Sequence, residues 1–127
     1  MTRTKKCEER IAGHWESRRS DLIGMIEGER YDELGEYFLE ATHVEAHPAI
    51  SPKGLHLQHA PFYKLGISWG GPSEEIRFYQ DGTAEFVLCD WGDIASLVFA
   101  KDGEEAGDHA IAYFLKEYFF EDLEPEL

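Results

Sequence analysis

Basic residues are scarce in this chain. Its 127 residues carry 12 Lys or Arg against 26 Asp or Glu, a formal net charge of −14. A field of that sign repels nucleic acid and anionic membranes and attracts basic surfaces, which disfavours direct DNA or RNA binding and membrane association. Cysteine is scarce too. Cys7 and Cys89 are too few for a disulfide framework and read as reduced thiols of a cytoplasmic protein, with Cys89 packed inside a strand pattern. No apolar run approaches the roughly 20 residues that cross a bilayer. The start, MTRTKKCEER, has no apolar stretch behind its basic residues, so no secretory signal is expected. Repeats, low-complexity tracts and linkers are missing, and a single domain over residues 1–127 is expected.

What is present is apolar content of 43%, enough for a core, and acid that is unevenly placed. From Pro72 onward 15 acids face only Arg77, Lys101 and Lys116, a balance of −12, whereas the first 71 residues balance at −2.

Apolar spacing sets the expected elements. From about Lys6 to Glu27, Ile11, Trp15, Leu22, Ile23 and Ile26 share one side of a helix, with Glu9, Glu16, Arg18 and Arg19 opposite. Gly28 interrupts it, and a second helix over Tyr31–Thr42 follows, with Leu34, Tyr37, Phe38 and Ala41 on one face. Three prolines and a glycine make residues 43–61 a loop. Leu65, Ile67 and Trp69 then alternate with Lys64, Gly66 and Ser68 as in a half-buried strand, and Gly70-Gly71-Pro72 turns the chain. A three-residue loop at Gln80-Asp81-Gly82, with Gly82 left-handed, sets Arg77 opposite Glu85, Ile76 opposite Phe86 and Phe78 opposite Ala84. A further turn at Gly92-Asp93 leads to a strand alternating at Ala95, Leu97 and Phe99. A last helix begins at Asp102, capped with Glu105, and carries an apolar stripe of Ile111, Phe114, Leu115, Tyr118 and Phe119. The expected class is α+β: a four-stranded antiparallel meander with two N-terminal helices and one C-terminal helix packed on one face. The other face, bearing Arg77, Tyr79 and Glu85, is expected toward solvent or a partner.

Few constellations carry chemistry. His43, His47, His56 and His59 have spacings compatible with zinc and have Glu45 between them. Pro48, however, ends any helix that His-x3-His would need, so loop histidines without metal are the expectation. A metal-dependent enzyme built on the 43–59 histidines is the alternative. Ser68 and Ser73 lie outside any nucleophile-elbow pattern, and Cys89 has no basic neighbour in sequence to activate it. No cofactor and no catalytic residue is expected.

The acid remains. Side chains at i, i+2 on a strand are about 6.6 Å apart, and at i, i+4 on a helix about 6 Å apart. DNA phosphates are spaced on a comparable scale, roughly 3.4 Å of axis per strand. Glu104 with Asp108, and Glu117 with Glu121, are helix pairs of this kind; Glu105 and Asp122 join them, and Asp90 and Asp93 make a second patch. Such a face fits the basic groove of a nucleic-acid-binding protein.

The run SWGGPSEEIRFYQDGT followed by DWGD resembles small acidic proteins encoded on bacterial plasmids, prophages and other mobile elements. The similarity covers roughly Leu65–Asp93 and rests on Ser68 to Ser73, Phe78, Asp81-Gly82 and Asp90-Trp91. It implies the company of acidic anti-restriction and anti-CRISPR inhibitors, some of which resemble DNA in charge, and it assigns no residue a role. The expectation is a non-enzymatic inhibitor of a basic, nucleic-acid-targeting defence complex, contacting it through Asp90, Asp93, Glu104, Glu105, Asp108, Glu117, Glu121 and Asp122. An immunity protein that blocks a basic nuclease toxin is the alternative on the same physics.

Overall fold

The first helix, α1, runs Cys7–Glu27 and buries Cys7, Ile11, Trp15, Leu22 and Met25 along one stripe. This is the face that its apolar spacing requires. Its free N–H groups are met at both short and long range. Glu9 accepts from the Lys6 N–H at 3.2 Å, and Asp93, 86 residues away in sequence, accepts from the Cys7 N–H at 2.7 Å. The helix ends in a Schellman arrangement, with Arg30 N–H bonded to the Met25 carbonyl and Glu29 N–H to that of Ile26. The left-handed residue this motif needs is Glu29, at φ 53°, and not Gly28, at φ −83°.

The computed structural model describes residues 6–44, 61–69, 72–79, 82–90, 92–101 and 108–120. After α2 (Tyr31–Tyr37) come β1 (Glu40–Val44), β2 (Phe62–Ser68), β3 (Ser73–Tyr79), β4 (Ala84–Asp90), β5 (Asp93–Ala100) and α3 (His109–Phe120). The α+β class holds, but the sheet has five strands in the order β1-β2-β3-β4-β5, all antiparallel. The second helix stops at Tyr37 and does not reach Thr42. Phe38 is extended, Leu39 N–H bonds to the Gly66 carbonyl at 2.7 Å, and Glu40–Val44 pairs along β2 as an edge strand. The i, i+3, i+4 pattern is real up to Phe38. Beyond it, Thr42 and Val44 are β-branched, and pairing to β2 offers their backbone a partner that a lone helical turn lacks.

The central hairpin has the expected register: Arg77 faces Glu85, Ile76 faces Phe86 and Phe78 faces Ala84. Tyr79 N–H bonds to the Thr83 carbonyl at 2.9 Å, and Gly82 sits at φ 89°. Strand β2 departs from simple alternation. A register shift between Gly66 and Ser68 turns Trp69 out, leaving it 46% exposed with its ring beside Gly66 and 5.4 Å from the Lys64 ammonium. A Cβ at Gly66 would lie 2.6 Å from that ring.

Helix α1 packs on β4 and β5, where Trp15 stacks on Phe99 at 4.3 Å and tilts against Phe86 at 5.4 Å. Helix α3 buries Ile111, Ala112, Leu115 and Phe120, with Phe114 and Phe119 half-buried and Tyr118 exposed, so its buried stripe is rotated from the expected one. The expected start at Asp102 and Glu105 lies outside the described residues. Among the described residues no helix is long and apolar enough to cross a membrane.

The face of the sheet expected toward solvent is not exposed. Tyr79 and Glu85 are buried, and Arg77 and Glu75 nearly so. Tyr79 donates to Glu85 at 2.6 Å, Arg77 pairs with Glu75 at 2.6 Å, and the Arg77 guanidinium lies 4.4 Å from the Phe62 ring centre. Burial and the Glu85 carboxylate together push the Tyr79 hydroxyl pKa up. Alternation identifies which residues share a face but not what stands over it, which is why this expectation failed.

Candidate partner-binding surface

Three arginines of α1 decide where the charge of this protein is free. Arg10, His14 and Arg18 are spaced i, i+4, i+8 beside the Ile11–Trp15–Leu22 stripe, so they emerge at the seam between helix and sheet. There Arg10 pairs with Asp90 at 2.8 Å. Arg18 grips Glu74 through two nitrogens, at 3.1 and 2.5 Å, while His14 Nδ1 and Ser68 Oγ each lie 3.0 Å from the same carboxylate. Next to them, Arg19 pairs with Asp108 at 2.9 Å. The expectation that Arg18 and Arg19 sit on the solvent side of α1 is corrected by these bonds.

The Glu74 site is the most elaborate polar cluster among the described residues. Burial works to raise the Glu74 carboxyl, but its hydrogen bonds to Arg18, His14 and Ser68 outweigh that and hold it below the ordinary carboxylate range. Arg18 also donates to the Tyr37 hydroxyl at 3.0 Å, and that hydroxyl donates to Asp21 at 2.7 Å. Burial pushes Tyr37 up to about 12. Ser68 Oγ is equally near the Pro72 carbonyl, 3.0 Å away, so the end of β2 and the residue before β3 are tied to α1 through the same hydroxyl. The cluster is a structural seam joining α1 to β2 and β3.

The acids expected to meet a partner are divided by this arrangement. Asp90 is held by Arg10, Asp108 by Arg19, and Asp93 caps α1. The Cys7 N–H bond leads the causes that draw the Asp93 carboxyl pKa down. Glu117 is exposed on α3. Glu104, Glu105, Glu121 and Asp122 lie outside the described residues. Sequence counting missed the other side of the exchange. With Arg10, Arg18 and Arg19 turned inward, nine acids of residues 6–37 are exposed against only Lys6 and Arg30, although the first half of the chain is nearly neutral by count. Glu27, Glu29, Asp32 and Glu36 are among them, and the exposed Arg30 is already paired with Glu33 at 2.9 Å. The sequence signal was the i, i+4 row of Arg10, His14 and Arg18 flanking the apolar stripe.

Beside this acid lies exposed aromatic surface. Tyr31, at the start of α2, and Phe114 and Tyr118, one turn apart on α3, have ring centres 5.8, 6.0 and 6.0 Å apart. Tyr31 is 37% exposed and Tyr118 45%, and the Tyr118 hydroxyl donates to the Tyr31 carbonyl at 3.3 Å. A cleft of about 260 Å³ lies between α1 and the start of α3, lined by Arg19, Ile23, Ile26, Glu27, Asp108, Ala110 and Ile111.

His43 stands exposed on β1 with its ring 4.9 Å from that of Tyr63, and His47, His56 and His59 lie outside the described residues. Among the described residues no group of three or more His, Cys, Asp or Glu converges as a metal site. Cys7 and Cys89 are free thiols; burial and the neighbouring Asp93 carboxylate push the Cys7 thiol up, away from reactivity. Compared with known proteins, the chain matches no family model, no curated sequence and no solved structure.

Proposed function

We propose that this chain is a non-enzymatic binding protein whose partner presents a basic surface, and that the partner belongs to a nucleic-acid-targeting complex that the protein inhibits. The carrying observation is the outward acid of α1 and α2. Nine exposed carboxylates stand there against two exposed bases, because the helix's own arginines are spent within the fold. A surface of that kind attracts cationic grooves at long range and repels nucleic acid itself. The exposed Tyr31 and Tyr118 add the aromatic area in which protein interfaces are enriched. Because Asp90, Asp93 and Asp108 are engaged within the fold, this reading adds the first two helices to the contact surface, with Glu117 at their border. The anti-restriction and anti-CRISPR inhibitors implied by the resemblance of Leu65–Asp93 are the class this reading favours.

The test is charge reversal at Glu27, Asp32 and Glu36, which have no ion-pair partner among the described residues. Immobilised wild-type protein should capture nucleic-acid-binding proteins from lysate of the cell that encodes it, release them as salt rises, and lose them to added duplex DNA. The Glu27→Lys/Asp32→Lys/Glu36→Lys variant should capture none of them. Equal capture by both proteins, or capture indifferent to DNA, refutes the proposal.

A further inference from the structure

We infer that Tyr31, Phe114 and Tyr118 form a platform that takes an arginine side chain of the basic partner, an inference that rests on the function proposed above. The geometry of the rings argues for a flat cation. Their centres form a triangle with sides of 5.8–6.0 Å, and their planes lie within 15–32° of one another. A column of three stacked rings would put its outer pair about twice as far apart, so Tyr31 and Tyr118 each stack, offset, on Phe114 while staying close to one another. Rings that enclose a rounded ammonium stand around it at steep angles, as in a methyl-lysine cage, and these do not. Near-parallel rings suit planar groups, of which proteins and nucleic acids offer two: the guanidinium and the nucleobase.

Charge chooses between them. Asp32 follows Tyr31 and Glu117 precedes Tyr118, both exposed. Glu27 lines a cleft between α1 and α3 together with Ala110, which sits one turn before Phe114. These carboxylates repel a phosphate-bearing strand and attract a guanidinium, which can stack on a ring while donating to an acid beside it. The same pairing already occurs inside the fold, where Arg77 lies 4.4 Å from the Phe62 ring centre and Arg18 lies 5.6 Å from that of Tyr37.

The experiment uses the full chain with fluorescein-labelled hexa-arginine and hexa-lysine peptides, followed by anisotropy at low salt. Charge alone treats the two peptides alike, whereas the platform should favour arginine by about two- to fivefold, the range expected of an exposed cation over a ring. The Tyr31→Leu/Tyr118→Leu variant should bind both peptides equally, while Tyr113→Leu, removing a 70% exposed ring outside the triangle, should keep the preference. Ring-proton resonances of Tyr31 and Tyr118 in the wild type should shift with hexa-arginine, a readout that needs no variant to fold. Equal binding of the two peptides by wild type overturns the platform and leaves the acidic-surface reading standing. Binding of neither peptide overturns both. Tighter binding of a thymidine oligonucleotide overturns the platform as an arginine site in favour of a nucleobase site.

Discussion

Glu74→Gln tests the seam that holds α1 to the sheet. The Glu74 side chain is only 5% exposed and accepts from Arg18, whose side chain is 27% exposed. The substitution preserves shape and removes the charge, leaving the guanidinium without its counterion. Breaking a fully buried pair costs about 3–5 kcal/mol, and the partial exposure of Arg18 lowers the expected loss to about 2–3 kcal/mol. For a chain of this size that corresponds to a fall in Tm of roughly 6–15 °C. Thermal and urea unfolding by circular dichroism measure it directly. A cycle with Arg18→Met isolates the pair, because the double variant removes both charges and should lose less than the sum of the singles by at least about 1 kcal/mol. The pH dependence follows from the direction of the shift. The folded carboxyl lies below its unfolded value, so its contribution is complete at neutral pH and is lost as pH falls through the folded pKa. The gap between wild type and Glu74→Gln should therefore be widest near neutrality and close in acid. A loss under about 0.5 kcal/mol, additivity in the cycle, or a gap that widens in acid would each refute the reasoning.

Glu29→Gly should stabilise the protein by about 0.5–1 kcal/mol in urea unfolding, since it relieves a left-handed non-glycine residue at φ 53° at the C-terminus of α1; a loss of stability would mean that Glu29 makes contacts worth more than the strain. Gly82→Val should cost at least about 1 kcal/mol, because φ 89° suits a β-branched residue poorly, and wild-type stability would disprove the left-handed turn. Leu115→Ala should cost about 2–5 kcal/mol, as Leu115 is fully buried, whereas Tyr118→Ala, at a 45% exposed position, should cost under about 1 kcal/mol; a loss at Tyr118 as large as that at Leu115 would restore the helix phase read from the sequence.

Local rules determined much of this protein without tertiary help. The apolar stripe of α1, the register of the β3–β4 hairpin and the α+β class follow from helical spacing, from alternation and from the turn chemistry of Gly82, all of which act between residues close in the chain. Tertiary structure decided the rest. Tyr31–Thr42 reads as one helix, yet Glu40–Val44 became an edge strand because β2, some twenty residues away, offered its backbone hydrogen bonds. Trp69 turned outward because a register shift broke the period of two. The exposed acid of the first two helices escaped the count for the same reason. Composition counts Arg10, Arg18 and Arg19 against the acids nearest in sequence, but folding assigns them to Asp90, Glu74 and Asp108, 80, 56 and 89 residues away. An ion pair forms between neighbours in space, so which acids a protein presents to its surroundings is settled only when helix and sheet have met.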